Sequence, residues 1–147
     1  MASSLLKCLT IYLGSRVDTL RTVAVGVNKV NLFAGIRPHD APDICVLLQE
    51  RVGVDQEVMQ PDESTRRIQV TTRAKTYFTC EALAEQCFEE LATTESFEHA
   101  LPDESDASVT AWTIHNIEGN RPAYIGQDDR GRIEFSFNLT VRVRKES

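Results

Sequence analysis

From residue 133 to residue 143, apolar and polar side chains alternate without interruption. Ile133, Phe135, Phe137, Leu139, Val141 and Val143 fall on one face; Glu134, Ser136, Asn138, Thr140 and Arg142 fall on the other. A period of two is the signature of a half-buried strand. Taken over 132–144 it spans about 43 Å at ~3.3 Å per residue. Strands in ordinary domains end near ~10 residues. Part of this one is therefore expected to overhang its own sheet and to pair with another chain.

Two other patterns have helical spacing. Leu5, Cys8, Leu9, Tyr12 and Leu13 step by three and four, with Ser3 or Ser4 before them as a cap and Gly14 after them as a terminator. Tyr77, Cys80, Ala84, Cys87, Phe88 and Leu91 do the same in a helix predicted over 72–91, with Glu81, Glu85 and Glu89 on its opposite side. The remaining apolar runs predict strands. "DICVLLQE" (43–50) is a compact run between Pro42 and Gly53, "RRIQVTTRA" turns Ile68 and Val70 inward, and 109–118 alternates. A short strand is expected at 23–27, ahead of a Gly- and Pro-bearing loop over 35–42. The acidic stretches 54–65 and 93–107 read as loops, the first as the tip of a hairpin. The order helix, strands, helix, strands predicts an α+β domain: a mainly antiparallel sheet with one long and one short helix packed on one face. The other face is expected to be wet. With 147 residues the chain suits one domain, 1–147.

Charge refines this picture. The net charge of −6 argues against a dedicated nucleic-acid binder, whose affinity rests on neutralising phosphates. Residues 76–120 carry acids throughout and no Lys or Arg, whereas 64–75 carry Arg66, Arg67, Arg73 and Lys75 and no acid. Arg130, Arg132, Arg142, Arg144 and Lys145 follow near the C-terminus. Separated zones of opposite sign suit head-to-tail contact between identical subunits. No window approaches the ~18 apolar residues that span a bilayer, and Lys7 and Thr10 break up the N-terminus as a secretory signal. The expected compartment is a reducing cytoplasm, with Cys8, Cys45, Cys80 and Cys87 as buried thiols. Cys80 and Cys87 lie two helical turns apart, too far along the axis for a disulfide.

Candidate chemistry is sparse. His39, His99 and His115 are isolated, without metal-ligand spacing, and no nucleophile elbow or Gly-rich phosphate loop is present. Asp128 and Asp129 lie in "QDDRG", a turn sequence between two strands. The reading is no catalytic, cofactor or metal site, and no enzyme. The competing reading is a small metal-dependent DNA-processing enzyme built on Asp43, Glu50, Asp128 and Asp129, which requires those carboxylates to converge. Asn138, Arg142 and Arg144 face outward on the last strand without the interleaved aromatics of a single-strand binding platform.

Three stretches in order resemble the tail terminators, or minor capsid proteins, of tailed bacteriophages: "VNLFAGIRPHDAPDICVLLQE", "RRIQVTTRAKTYFTCEALAEQCFEEL" and "RPAYIGQDDRGRIEFSFNLTVRVR". With the short N-terminal helix, the resemblance covers most of the chain. It implies a sheet with helices packed against it and a structural virion protein at the neck, made in the bacterial host cytoplasm. It further implies a hexameric ring that caps the head-proximal end of the tail tube, stops its polymerisation and joins a head-completion protein. DNA passes through the hole without specific binding, no membrane is involved, and no cofactor is used. On this footing Glu134, Ser136, Asn138, Thr140, Arg142 and Arg144 are expected to line the hole or a subunit interface. Asp55, Glu57, Asp62 and Glu63 are expected to touch the tube or a neighbouring copy, meeting its Arg66 or Arg73. A head-completion or adaptor protein of the same neck is the structural alternative. The acidic loop 93–107 has no counterpart in the resemblance.

Overall fold

The C-terminal alternation forms the longest strand, and the sheet is built outward from it. A computed structural model describes residues 4–22, 30–56, 63–92, 99–103, 105–106 and 108–146. In chain order the elements are α1 (Leu5–Arg16), β1 (Leu32–Ala34), β2 (Cys45–Gln56), β3 (Glu63–Ala74), α2 (Tyr77–Ala92), β4 (His99–Pro102), β5 (Thr110–Gly119), β6 (Ala123–Gln127) and β7 (Ile133–Lys145). The seven strands make one sheet in the order β1-β2-β3-β7-β5-β4, with β6 also paired to β7. Among the described residues only β1 and β2 run parallel; every other pairing there is antiparallel. The fold is α+β, as the order of patterns predicts.

Both helices cover the same face. The inward residues of β7, from Phe137 to Val143, join Val46 and Leu48 of β2 and Ile68 and Val70 of β3 in one core. Leu5, Cys8, Leu9 and Leu13 of α1, with Leu83, Cys87 and Leu91 of α2, close over them. Phe137 stands edge-on to Phe88 at 5.5 Å. All four cysteines are buried free thiols, and burial pushes the Cys87 thiol up to about 12.

Several expectations are corrected. β7 does not overhang: Ile133 to Arg144 pair with β3, and β6 and β5 share its other edge in tandem. A strand of this length is accommodated because β3 matches it and two shorter strands cover the remaining side. The long helix starts at Tyr77, not at 72, because Thr72, Arg73 and Ala74 stay paired with β7. Thr76 then supplies the cap, its Oγ1 accepting from the Thr79 N–H at 3.4 Å.

Gly14 does not end α1, which continues to Arg16. A Cβ there would stand 3.2 Å from Leu32 Cδ2, so the glycine serves close approach of helix and strand. Ser4 is the N-cap residue but makes no side-chain cap bond. In the stretch 54–65, residues 54–56 belong to β2 and 63–65 to β3, while 57–62 lie outside the described residues. The 93–107 stretch contains β4. β1 is a strand the apolar pattern does not announce, and the strand expected at 23–27 lies outside the described residues. Among the described residues, no helix is long and apolar enough to cross a membrane.

Candidate functional site

The sheet face opposite the helices divides into a closed half and an open half. Arg73 organises the closed half. Alternation with Val70 and Thr72 turns it away from the core, yet it is 3% exposed. Its Nη2 donates to the carbonyls of Pro42 (2.7 Å) and Ala41 (3.3 Å), and its Nε to that of Asp43 (3.3 Å). The loop between β1 and β2 is thereby tied down across the sheet. Burial lowers the Arg73 pKa, and the adjacent Arg37 and Arg132 act in the same direction.

Acidic partners balance these arginines. Arg132 Nε donates to Asp128 Oδ2 (2.7 Å) and its Nη1 to Asp43 Oδ1 (3.2 Å). Arg37 lies 3.6 Å from Glu134. Asp128 Oδ1 also accepts from the backbone N–H of Arg130 (3.0 Å) and Arg132 (2.9 Å), which makes "QDDRG" the expected turn. Burial opposes the charge on Asp128, but these hydrogen bonds outweigh it and hold the pKa below the ordinary 3.8. Asp43 is lowered as well, first by its bond from Arg132.

A carboxylate with a depressed folded pKa stabilises the fold above its unfolded value and loses that contribution as pH falls through the folded value. Stability is therefore expected to drop as pH falls below 3.8. Asp128→Asn, which carries no charge to lose, should flatten that drop in urea midpoints measured against pH. An unchanged slope would show that the turn contributes nothing to acid sensitivity.

Register builds the open half. Gln49, Gln69 and Asn138 lie in one row across β2, β3 and β7. Arg51, Arg67, Thr140 and Glu118 form the next row. Arg51 Nη1 donates to Gln69 Oε1 at 2.7 Å, and Gln69 Nε2 to Ser136 Oγ at 3.0 Å. Arg51, Arg67, Asn138, Thr140 and Glu118 are exposed. Two arginines directly opposite each other gain nothing for the fold alone. Beyond them, Arg142 pairs with Glu63 (3.3 Å), Glu63 with His115 (3.2 Å), and Arg144 with Glu146 (2.9 Å).

The residues singled out from sequence are therefore distributed unevenly. Asn138, Thr140 and Arg142 are on the open half; Glu134 and Ser136 lie on the closed half, partly or fully buried. Arg73 is committed to its own loop and Glu63 to Arg142 and His115, so neither is offered to a neighbour as expected. Arg66 points to the helix face, 2.8 Å from Glu50 and with its guanidinium 5.4 Å from the centre of the Trp112 ring. Asp55 is on β2, while Glu57 and Asp62 lie outside the described residues.

The competing carboxylate set does not assemble. Asp43 and Asp128 converge on Arg132, and Glu50 is held by Arg66 on the other side of the sheet. Among the described residues, no three His, Cys, Asp or Glu side chains gather as a metal site. Sequence reading missed Arg51 and Arg67 as surface groups. The signal for Arg67 was present, since it alternates with the inward Ile68; Arg51 needed the register.

The sequence model of the family described as "Bacteriophage tail terminator protein" matches residues 15–145. No curated protein matches the chain. The match takes in every strand and α2, together with the loop that Arg73 ties down. The chain belongs to the bacteriophage tail terminator family, and its role is a structural one in the phage tail.

Proposed function

We propose that six copies form a ring on the head-proximal end of the tail tube, ending its polymerisation and presenting a surface to a head-completion protein of the neck. The observation that carries this reading, beside the family match, is the open half of the sheet. It is a polar surface with no covering element among the described residues, on the side away from both helices. In the ring, this surface faces the hole. Asn138 and Thr140 supply neutral polar groups, while Arg51, Arg67 and Arg142 are interspersed with Glu118 and Glu63. A lining of both signs lets a polyanion pass, whereas a continuous basic stripe would retain it. Asp55, with Glu57 and Asp62 close to it in sequence, is assigned to contact with the tube or the neighbouring copy.

The test is a mixing experiment. Purified protein is added to polymerising tail-tube subunits and the products are imaged. Tubes of limited length with six-fold rings at one end are expected. Unaltered tube growth with no bound protein would overturn the proposal.

A further inference from the structure

The polar face leaves unexplained an apolar shelf at one side of the sheet. Tyr77 and Phe78 open α2 at 40% and 78% exposure, and Tyr124 and Ile125 of β6 are 46% and 57% exposed. The Tyr77 ring lies 5.4 Å from Phe78 and 5.5 Å from Tyr124, and both tyrosines rest on the buried Phe135 ring. Among the described residues, β6 pairs only with β7, so its outer backbone edge is open. An apolar shelf beside an open strand edge is a template for association.

The same chain carries a matching hollow on the opposite side. β1 pairs only with β2 among the described residues; on its outer side the Leu32 N–H donates to the Arg21 carbonyl at 3.1 Å, which leaves the Ala34 end for a partner. Its outer side opens on a groove of ≈ 710 Å³ against α1, lined by Leu6, Ile11, Val30, Phe33 and Ile36. Ile36 is 81% exposed.

Height and direction also agree. β6 sits beside Ile133–Ser136 of β7. Through β2 and β3, β1 is level with residues 135–137 of the same strand. β6 runs antiparallel to β7, whereas β1 runs in the direction of β7. A second copy brought alongside in the same orientation therefore lays its β1 antiparallel to β6. Charge is compatible: Lys7 borders the groove, and Glu81 stands one turn along α2 from Phe78.

We propose that the shelf of one copy docks into the β1–α1 groove of the next, with β6 running beside the Ala34 end of β1. The contact is heterologous, the type that closes into a ring; the apolar contact carries it, and main-chain pairing at Ala34 adds to it. It keeps every open polar half on the same side of the assembly. This inference rests on the ring reading and names the surfaces that join its members.

The experiment uses tail tubes capped by the full-length protein. Phe78→Glu should weaken capping at least about thirtyfold, as loss of a central aromatic anchor does, with an unchanged circular dichroism spectrum. The double variant Ala34→Cys/Ile125→Cys, treated on capped tubes with a short bismaleimide that spans more than a disulfide can, should give a ladder of cross-linked oligomers. Neither single variant should do so, since the native thiols are buried. Capped tubes without a ladder, or full capping by Phe78→Glu, would overturn the docking proposal while leaving the ring intact. Failure of the unmodified protein to cap tubes would instead overturn the proposed function.

Discussion

Arg73→Ala is expected to lower the unfolding free energy by about 3–5 kcal/mol, the range for removing one partner from a buried charged network. Three carbonyls, those of Ala41, Pro42 and Asp43, lose their donor together. Arg132, Asp128 and Asp43 lose a neighbour that holds the loop against the sheet. Urea unfolding measures the loss directly. Arg73→Lys keeps the charge but not the planar fork that reaches several carbonyls at once, so it should restore only part of it. Arg67→Ala is the control: two positions along the face from Gln69, exposed and on the open half, it should change stability by less than about 0.5 kcal/mol. Equal effects of Arg73→Ala and Arg67→Ala would refute the division into a closed and an open half.

Phe137→Ala should cost a similar amount, about 3–5 kcal/mol, by a different physical route. Phe137 is 2% exposed at the middle of β7, packed against α2 through the edge-on Phe88 ring. Its removal leaves a void that the strand pairings on both sides of β7 prevent from collapsing. A folded domain typically holds only about 5–15 kcal/mol in reserve, so this variant should approach the limit of folding at 37 °C. A thermal melt within a few degrees of the unmodified protein would show that the sheet and α2 can close over the gap.

Legibility from sequence followed the range of the interactions involved. A two-residue period records which side of a strand is buried, so the inward and outward residues of β7 were readable in isolation. The same held for the inward face of α2 and for the Asp128 turn, both settled by neighbours within a few positions. What failed depended on distant partners. The supposed overhang of β7 vanished because β3 is one residue shorter at most and because β5 and β6 lie end to end, facts set by pairing. β1 is three residues held in place by β2, without a pattern of its own. Arg73 looked like an outward surface arginine, and by alternation it is outward. It is buried because a loop 30 to 32 positions earlier crosses over it. Arg66 and Arg73 share a basic run, but their odd and even positions put them on opposite faces of the sheet.

The central claim is that the open polar half of the sheet faces the hole of a ring. A density map of tubes capped by this protein tests it most directly. The account predicts six copies at one end of the tube, with β2, β3 and β7 around the hole, Arg67, Asn138 and Thr140 pointing inward, and α1 and α2 outside. A ring with the helices lining the hole, or capped ends that hold no ring of this protein, would contradict it.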